Sequence, residues 1–163
     1  MTVLEWLLIA AAVVVVLGGL LLVATANRLD RLHVRMDAGW AALDAALARR
    51  AVVARAVAVA APGASTSELI RHVAERAEAA PRPEREAEEN ELTSLLARFD
   101  RSVLPTVLVD ELVDAEHRVV IARRVHNDAV RDTLALRRRR KVRYFKLAGT
   151  APRPEYFEIA EPV

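Results

Sequence analysis

The chain has 163 residues and no cysteine, which excludes disulfides and thiolate-ligated metal and is compatible with a reducing compartment. Aromatic residues make up only 4%. Any interior must therefore be packed with Leu, Val and Ala, which suits close-packed helices better than a sheet. Lysine occurs only at Lys141 and Lys146. The preference for Arg, with the abundance of Ala and Val, reads as coding bias rather than function. No stretch alternates with period two for long enough to make a strand, and no repeat of fixed period appears. Gly-x-Ser-x-Gly, a phosphate-cradling Gly-rich loop and His-Glu-x-x-His are also missing. Asp114-x-x-His117 and Glu68-x-x-x-His72 are the nearest approaches to a metal motif. A di-metal carboxylate bundle needs two Glu-x-x-His elements and two further Glu. The sequence thus nominates no catalytic, cofactor-binding or metal-binding residue, no cofactor and no enzyme activity.

What the chain does have is a run from Trp6 to Ala26 without a charge. At roughly 1.5 Å per residue it spans about 31 Å as a helix, close to the hydrocarbon thickness of a bilayer. A helix apolar on every face has little use in a soluble bundle. The rival reading is a cleaved signal peptide, with Ala24-Thr25-Ala26 as the small-x-small site. Against it, residues 1–5 contain no Lys or Arg, and the apolar run exceeds the usual h-region. Residues 1–26 are therefore expected to form an uncleaved anchor with a short exterior N-terminus, in a single-pass plasma-membrane protein. Arg28, Arg31 and Arg35 follow the run and only Glu5 precedes it, so the positive-inside rule places the soluble part in the cytoplasm.

Beyond the anchor the apolar residues fall at helical spacing. Leu29, Leu32, Met36, Leu43, Leu47, Ala54 and Val57 mark a helix continuous with the anchor, ended by Pro62-Gly63. Ser65 to Glu68 reads as a capping box opening a second helix, with Leu69, Ile70, Val73 and Ala77 inside. Pro81 and Pro83 break the chain before a third helix, from about Pro83 to Ser102, with Leu92, Leu95, Leu96 and Phe99 on one stripe. A long fourth helix follows Leu104-Pro105, carrying Leu108, Leu112, Ala115, Val119, Ala122, Ala129 and Leu136. Residues 149–163 form an irregular tail. The fold class expected is all-α: one transmembrane helix followed by an antiparallel up-and-down four-helix bundle.

Two stretches carry a resemblance. Trp40, Leu43-Asp44 and Leu47-Ala48-Arg49-Arg50 stand at the spacing of a Trp, Ile/Leu-Asp, Leu-x-Arg-Arg pattern. Glu116 to Val130 matches Glu-x-x-(Ile/Val)-x-x-Ala-Arg-Arg-x-Tyr-Asn-x-x-Val. With Glu89 to Leu92 and Tyr156-Phe157-Glu158, these resemble the LemA family of membrane-anchored bacterial proteins, in the family's order and over nearly the whole chain. The resemblance implies a helical bundle at residues 27–148 behind one membrane helix, in the bacterial cell envelope. It implies no activity, since the family's biochemical role is unestablished. His126 departs from the family's Tyr, and the basic run from Arg137 departs from its Phe-Pro.

Antiparallel pairing of the first and fourth helices sets Asp44 level with Arg123 and Arg124, Arg50 level with Glu116, and His126 near Trp40. These residues are expected to be structural pairs that fix register. The acidic stretch from Glu84 to Glu91 reads as a solvated helix start. Arg137, Arg138, Arg139, Arg140, Lys141, Arg143 and Lys146, with Tyr144 and Phe145 interleaved, are candidates for contact with an anionic leaflet, each basic residue adding on the order of 1 kcal/mol. The plain alternative is a solvated helix end whose cations suit the dipole. Nucleic-acid binding is disfavoured, because the rest of the domain nearly cancels the charge and no nucleic-acid motif accompanies the run. The expected role is a non-catalytic membrane-tethered interaction or scaffold protein with an unknown protein partner. An accessory subunit of an envelope protease or transporter is the alternative; an enzyme or metal-binding bundle is the alternative of a different class.

Overall fold

Helix α1 runs unbroken over Val3–Ala60, so the apolar run and the amphipathic segment after it are one element. The computed structural model describes residues 2–63 and 65–160. Four more α-helices follow: α2 (Ser67–Ala79), α3 (Arg82–Arg98), α4 (Thr106–Arg137) and α5 (Arg140–Tyr144), with a 3₁₀ turn at Arg101–Val103 between α3 and α4. Among the described residues there is no strand. The protein is all-α.

Prolines and small polar residues set the boundaries. Pro81 is the N-cap of α3, and Pro83 falls in its first turn, where its missing N–H costs nothing. Asp100 caps the 3₁₀ turn by accepting from the Ser102 backbone N–H at 3.0 Å. This turn and the preceding break end α3 at Arg98, short of the expected Ser102. The expected capping box does not form. Helix α2 starts at Ser67 with Thr66 as N-cap, and no side chain caps it. Ser67 Oγ instead donates to the Ala61 carbonyl at 2.6 Å, fastening the turn between α1 and α2.

The described residues divide into two compact units, cutting differently from the expected segments 1–26, 27–148 and 149–163. One comprises residues 37–128 and 155–160. Its main core joins Ala54 and Val57 of α1, Ile70 and Val73 of α2, Leu92 and Leu96 of α3, and Leu112 and Ala115 of α4. A second cluster joins Leu43, Leu47 and Val119 to Phe157 and Ile159 of the tail. The tail is irregular but held. Asn127 accepts from the Phe157 N–H at 2.9 Å and donates to its carbonyl at 3.0 Å. The Glu158 and Ala160 N–H groups donate to Glu86 and Asn90, at 3.1 and 2.7 Å. Two residues of extended chain advance about 6.6 Å and one helical turn of four residues about 6 Å, so acceptors at i and i+4 on α3 match alternate N–H groups of the tail.

The other unit comprises residues 2–36 and 129–154. Leu29, Leu136 and Val142 are buried together in it, with Leu147 and Ala148 against them. No break was expected between the helical stripe ending at Leu136 and the irregular tail from Gly149; α4 ends at Arg137, and Arg139 is extended (φ −63°, ψ 136°). On a straight helix Val142 would lie about 120° away from Leu136. The break turns Val142 back into the core. Helix α5 then closes with a Schellman motif: Leu147 N–H bonds the Val142 carbonyl at 3.0 Å and Lys146 N–H bonds that of Arg143 at 3.3 Å. Lys146 occupies the left-handed position (φ 50°) usually given to glycine.

Candidate functional site

The basic segment belongs to the unit that carries the apolar run. Between Asp132 and Glu155 the chain has eight basic residues and no acidic one. Seven are the expected candidates, Arg137, Arg138, Arg139, Arg140, Lys141, Arg143 and Lys146; Arg153 is the eighth. Arg139 and Lys141 line a recess with Leu21, Ala24, Thr25 and Arg28 of α1. Folding therefore brings the cluster to the C-terminal end of the apolar run. Thr25, the most buried residue of that run, donates its hydroxyl to the Leu21 carbonyl at 2.7 Å. Such a back-bond leaves no hydroxyl in need of water. The apolar residues from Trp6 to Leu21 are exposed, including Val15 at 73% and Leu20 at 62%. This helix is long and apolar enough to cross a membrane. Beside the basic residues, Tyr144 and Phe145 are exposed and stack edge to face, with ring centroids 5.0 Å apart.

The paired residues of the other unit lie elsewhere than expected. Arg50 is fully buried, and its partner is Glu89 of α3 rather than Glu116. Its Nη2 donates to Glu89 Oε2 at 2.5 Å and to the Glu89 carbonyl at 3.2 Å, and its Nη1 to Thr93 Oγ1 at 3.0 Å. The other Glu89 oxygen accepts from Arg85 Nε at 3.3 Å. Asp44 pairs with Arg85 at 3.2 Å, in place of the expected Arg123 or Arg124. Arg123 and Arg124 sit half-buried and exposed on α4. Glu116 is taken by Arg101 of the 3₁₀ turn, which donates to both carboxylate oxygens at 3.0 and 3.2 Å. Matching levels on two antiparallel helices overlooked α3, which meets the Arg50 face of α1. The acidic stretch is correspondingly not all solvated: Glu89 has no exposure at all.

His126 does lie against Trp40, with ring centroids 5.6 Å apart, edge to face. Phe157 makes a second such contact at 5.6 Å, and the Arg82 guanidinium stands 4.0 Å over the Trp40 ring. A Cβ at Gly39 would come 3.2 Å from the His126 Cα, so the absent side chain is what lets α1 and α4 approach here. These aromatic and charged residues are tied up in packing.

An open groove of the same unit is lined by Ala42, Ala45, Ala46 and Arg49 of α1 and by Asp114, Arg118, Ile121, Ala122 and Val125 of α4, with a volume of about 710 Å³. Arg118 Nε donates to Asp114 at 2.7 Å. That bond holds the Asp114 carboxyl below its ordinary range and raises Arg118. Among the described residues, no three His, Cys, Asp or Glu side chains converge to hold a metal ion.

Several contributors went unnoticed in the sequence: Arg82, Arg85, Thr93, Arg101 and Arg153; Asn127 stands at the Asn of the resemblance pattern, which assigns it no role. A signal was present for two. Arg85, Glu89 and Thr93 form one row at four-residue spacing beside the Leu92–Leu96 stripe. Comparison with known proteins adds no relative: no family model, no curated protein and no solved structure matches the chain.

Proposed function

We propose that the chain is a membrane-anchored, non-catalytic interaction module of the LemA type, with an antiparallel four-helix domain on the cytoplasmic side of the plasma membrane. The observation that carries this reading is the exposed apolar face of α1 with a basic, aromatic-bearing segment folded against its end. Water-exposed apolar area costs roughly 25 cal/mol per Å², so the helix favours lipid. Arginines and aromatic rings beside it suit the headgroup level. The antiparallel arrangement has support in both units. Leu29 packs with Leu136 and Arg35 pairs with Asp132 in one; Gly39 meets His126 and Arg49 pairs with Glu111 in the other. As residue numbers rise on α1, those of the partners on α4 fall.

A carbonate wash of membranes expressing the full chain tests the anchor. The polypeptide should stay with the lipid and leave only with detergent. Recovery of the unprocessed chain in the aqueous phase overturns the reading. Reporter fusions at the C-terminal end, one active inside the cell and one outside, test the orientation. The groove with exposed Ile121 and Val125 favours a second version of the same idea, an accessory subunit with one dedicated envelope partner. Crosslinking in membranes separates the two: one stoichiometric adduct for a dedicated partner, many weak ones for a scaffold.

A further inference from the structure

In the unit that carries the apolar helix, Arg137, Arg138, Arg143 and Arg153 line one recess of about 330 Å³, with Leu134 as its apolar wall. They come from three places: the end of α4, α5 and the loop after it. Two devices bring them together. The extended Arg139 reverses the chain so that Arg143 faces back toward α4. Arg137 then donates to the Ala151 and Pro152 carbonyls, at 2.9 and 2.7 Å, which sets Arg153 on the rim.

Seven other arginines of the chain are arranged differently. Arg49, Arg55, Arg71, Arg76, Arg85, Arg101 and Arg118 each meet a carboxylate. Here the segment from 133 to 154 contains no acidic residue. A favourable helix dipole accounts for Arg137 and Arg138 at the end of α4; it does not account for Arg143 and Arg153, which are on other elements. Four like charges around one concavity repel unless an anion neutralises them. Guanidinium groups match phosphoryl oxygens through paired N–H donors.

We propose that this recess binds a phosphoryl group, a dianionic monoester in preference to a monoanionic diester. The proposal rests on the same basic segment as the anionic-leaflet reading, but it assigns a defined site to four residues where that reading needs only summed charge. Arg139 and Lys141 of the same segment lie beside Leu21 to Arg28, which puts the recess within the unit that meets the bilayer surface. The phosphoryl group comes either from a lipid headgroup or from a soluble phosphate.

The test uses the full chain in a neutral detergent, probed with inorganic phosphate, phosphatidic acid, phosphatidylglycerol and phosphatidylcholine. Lipid retention is read by native mass spectrometry and phosphate binding by calorimetry. Arg143→Gln with Arg153→Gln is compared with Arg140→Gln with Lys146→Gln, which removes the same charge outside the recess. Retention should follow phosphatidic acid, then phosphatidylglycerol, then phosphatidylcholine. The recess pair should weaken phosphatidic acid by about tenfold or more, and the outside pair by about twofold at most, as expected for losing paired charge-assisted bonds against losing distant charge. Calorimetric binding of inorganic phosphate that the recess pair abolishes identifies a soluble source; recess-dependent binding of lipid alone identifies the headgroup. Equal losses for the two pairs overturn the site and leave the summed-charge reading standing. Equal retention of all three lipids, with no binding of inorganic phosphate, overturns both. Circular dichroism of each variant verifies that the helices persist.

Discussion

At the scale of single residues, the most consequential group is the buried ion pair. Removing one partner of such a pair strands a charge without water and typically costs about 3–5 kcal/mol. Arg50→Ala should therefore lower stability by about that much in a denaturant titration of the detergent-solubilised chain. Asp44→Ala should cost under about 1 kcal/mol, because its side chain is 50% exposed and the pair is screened. Loss of similar size in both variants would contradict the assignment. The surface carboxylates make a pH prediction. The Arg71 guanidinium beside Glu68, the Ser102 hydroxyl and N–H on Asp100, and Arg118 beside Asp114 each hold a carboxyl below its ordinary value. A lowered folded-state value means that the stabilisation is complete above the unfolded value, near 4, and is lost as pH falls through the folded one. The contribution of these three carboxylates to the thermal midpoint should therefore be lost as pH falls below about 4. Arg50 was legible as an inward-facing charge because it lies on the Leu43–Leu47–Ala54–Val57 stripe. Its partner was not. Periodicity tells which face of a helix is buried and is silent on which neighbour covers it.

At the scale of elements, the prolines and the apolar stripes made the existence and order of the four long helices readable, and their starts to within about two residues; the ends of α3 and α4 fell short of expectation. The fifth escaped notice because neither glycine nor proline marks it. The turn at Arg138 and Arg139 is imposed by burial of Val142 and Leu147, a tertiary effect with no local signature. Lys146 at the left-handed Schellman position carries a conformational penalty of about 1–2 kcal/mol relative to a residue without Cβ. Lys146→Gly should protect the α5 amides from hydrogen exchange by roughly fivefold, as expected when about 1 kcal/mol of that penalty is relieved. At Gly39 the balance runs the other way. A larger residue gains up to about 1 kcal/mol of helix propensity, against about 1–3 kcal/mol for forcing atoms into a filled contact. Gly39→Val gains the least propensity and adds the most bulk, so a lowered thermal midpoint is expected. An unchanged midpoint would mean that α1 and α4 can move apart freely there.

At the scale of the whole molecule, the apolar run, the uncompensated arginines and the exposed aromatic pair were all readable as composition. Their grouping in one unit was readable only as an expectation from counting helices up and down. The division of the described chain was less legible, because both α1 and α4 contribute to each unit. A helix pattern carries no mark of where one core stops and the next begins.

The closing segment, fastened through its own amides to Glu86, Asn90 and Asn127, implies a particular tolerance to change. Glu158 and Ala160 offer only backbone to Glu86 and Asn90, and with Tyr156 they turn their side chains outward, whereas Phe157 gives its backbone to Asn127 and, with Ile159, its side chain to the second core cluster. A saturation library over 156–160, sorted for folded protein, should return a two-beat rhythm: wide tolerance at the even positions, with proline refused at 158 and 160 where the amide is donated, and large apolar residues alone at the odd.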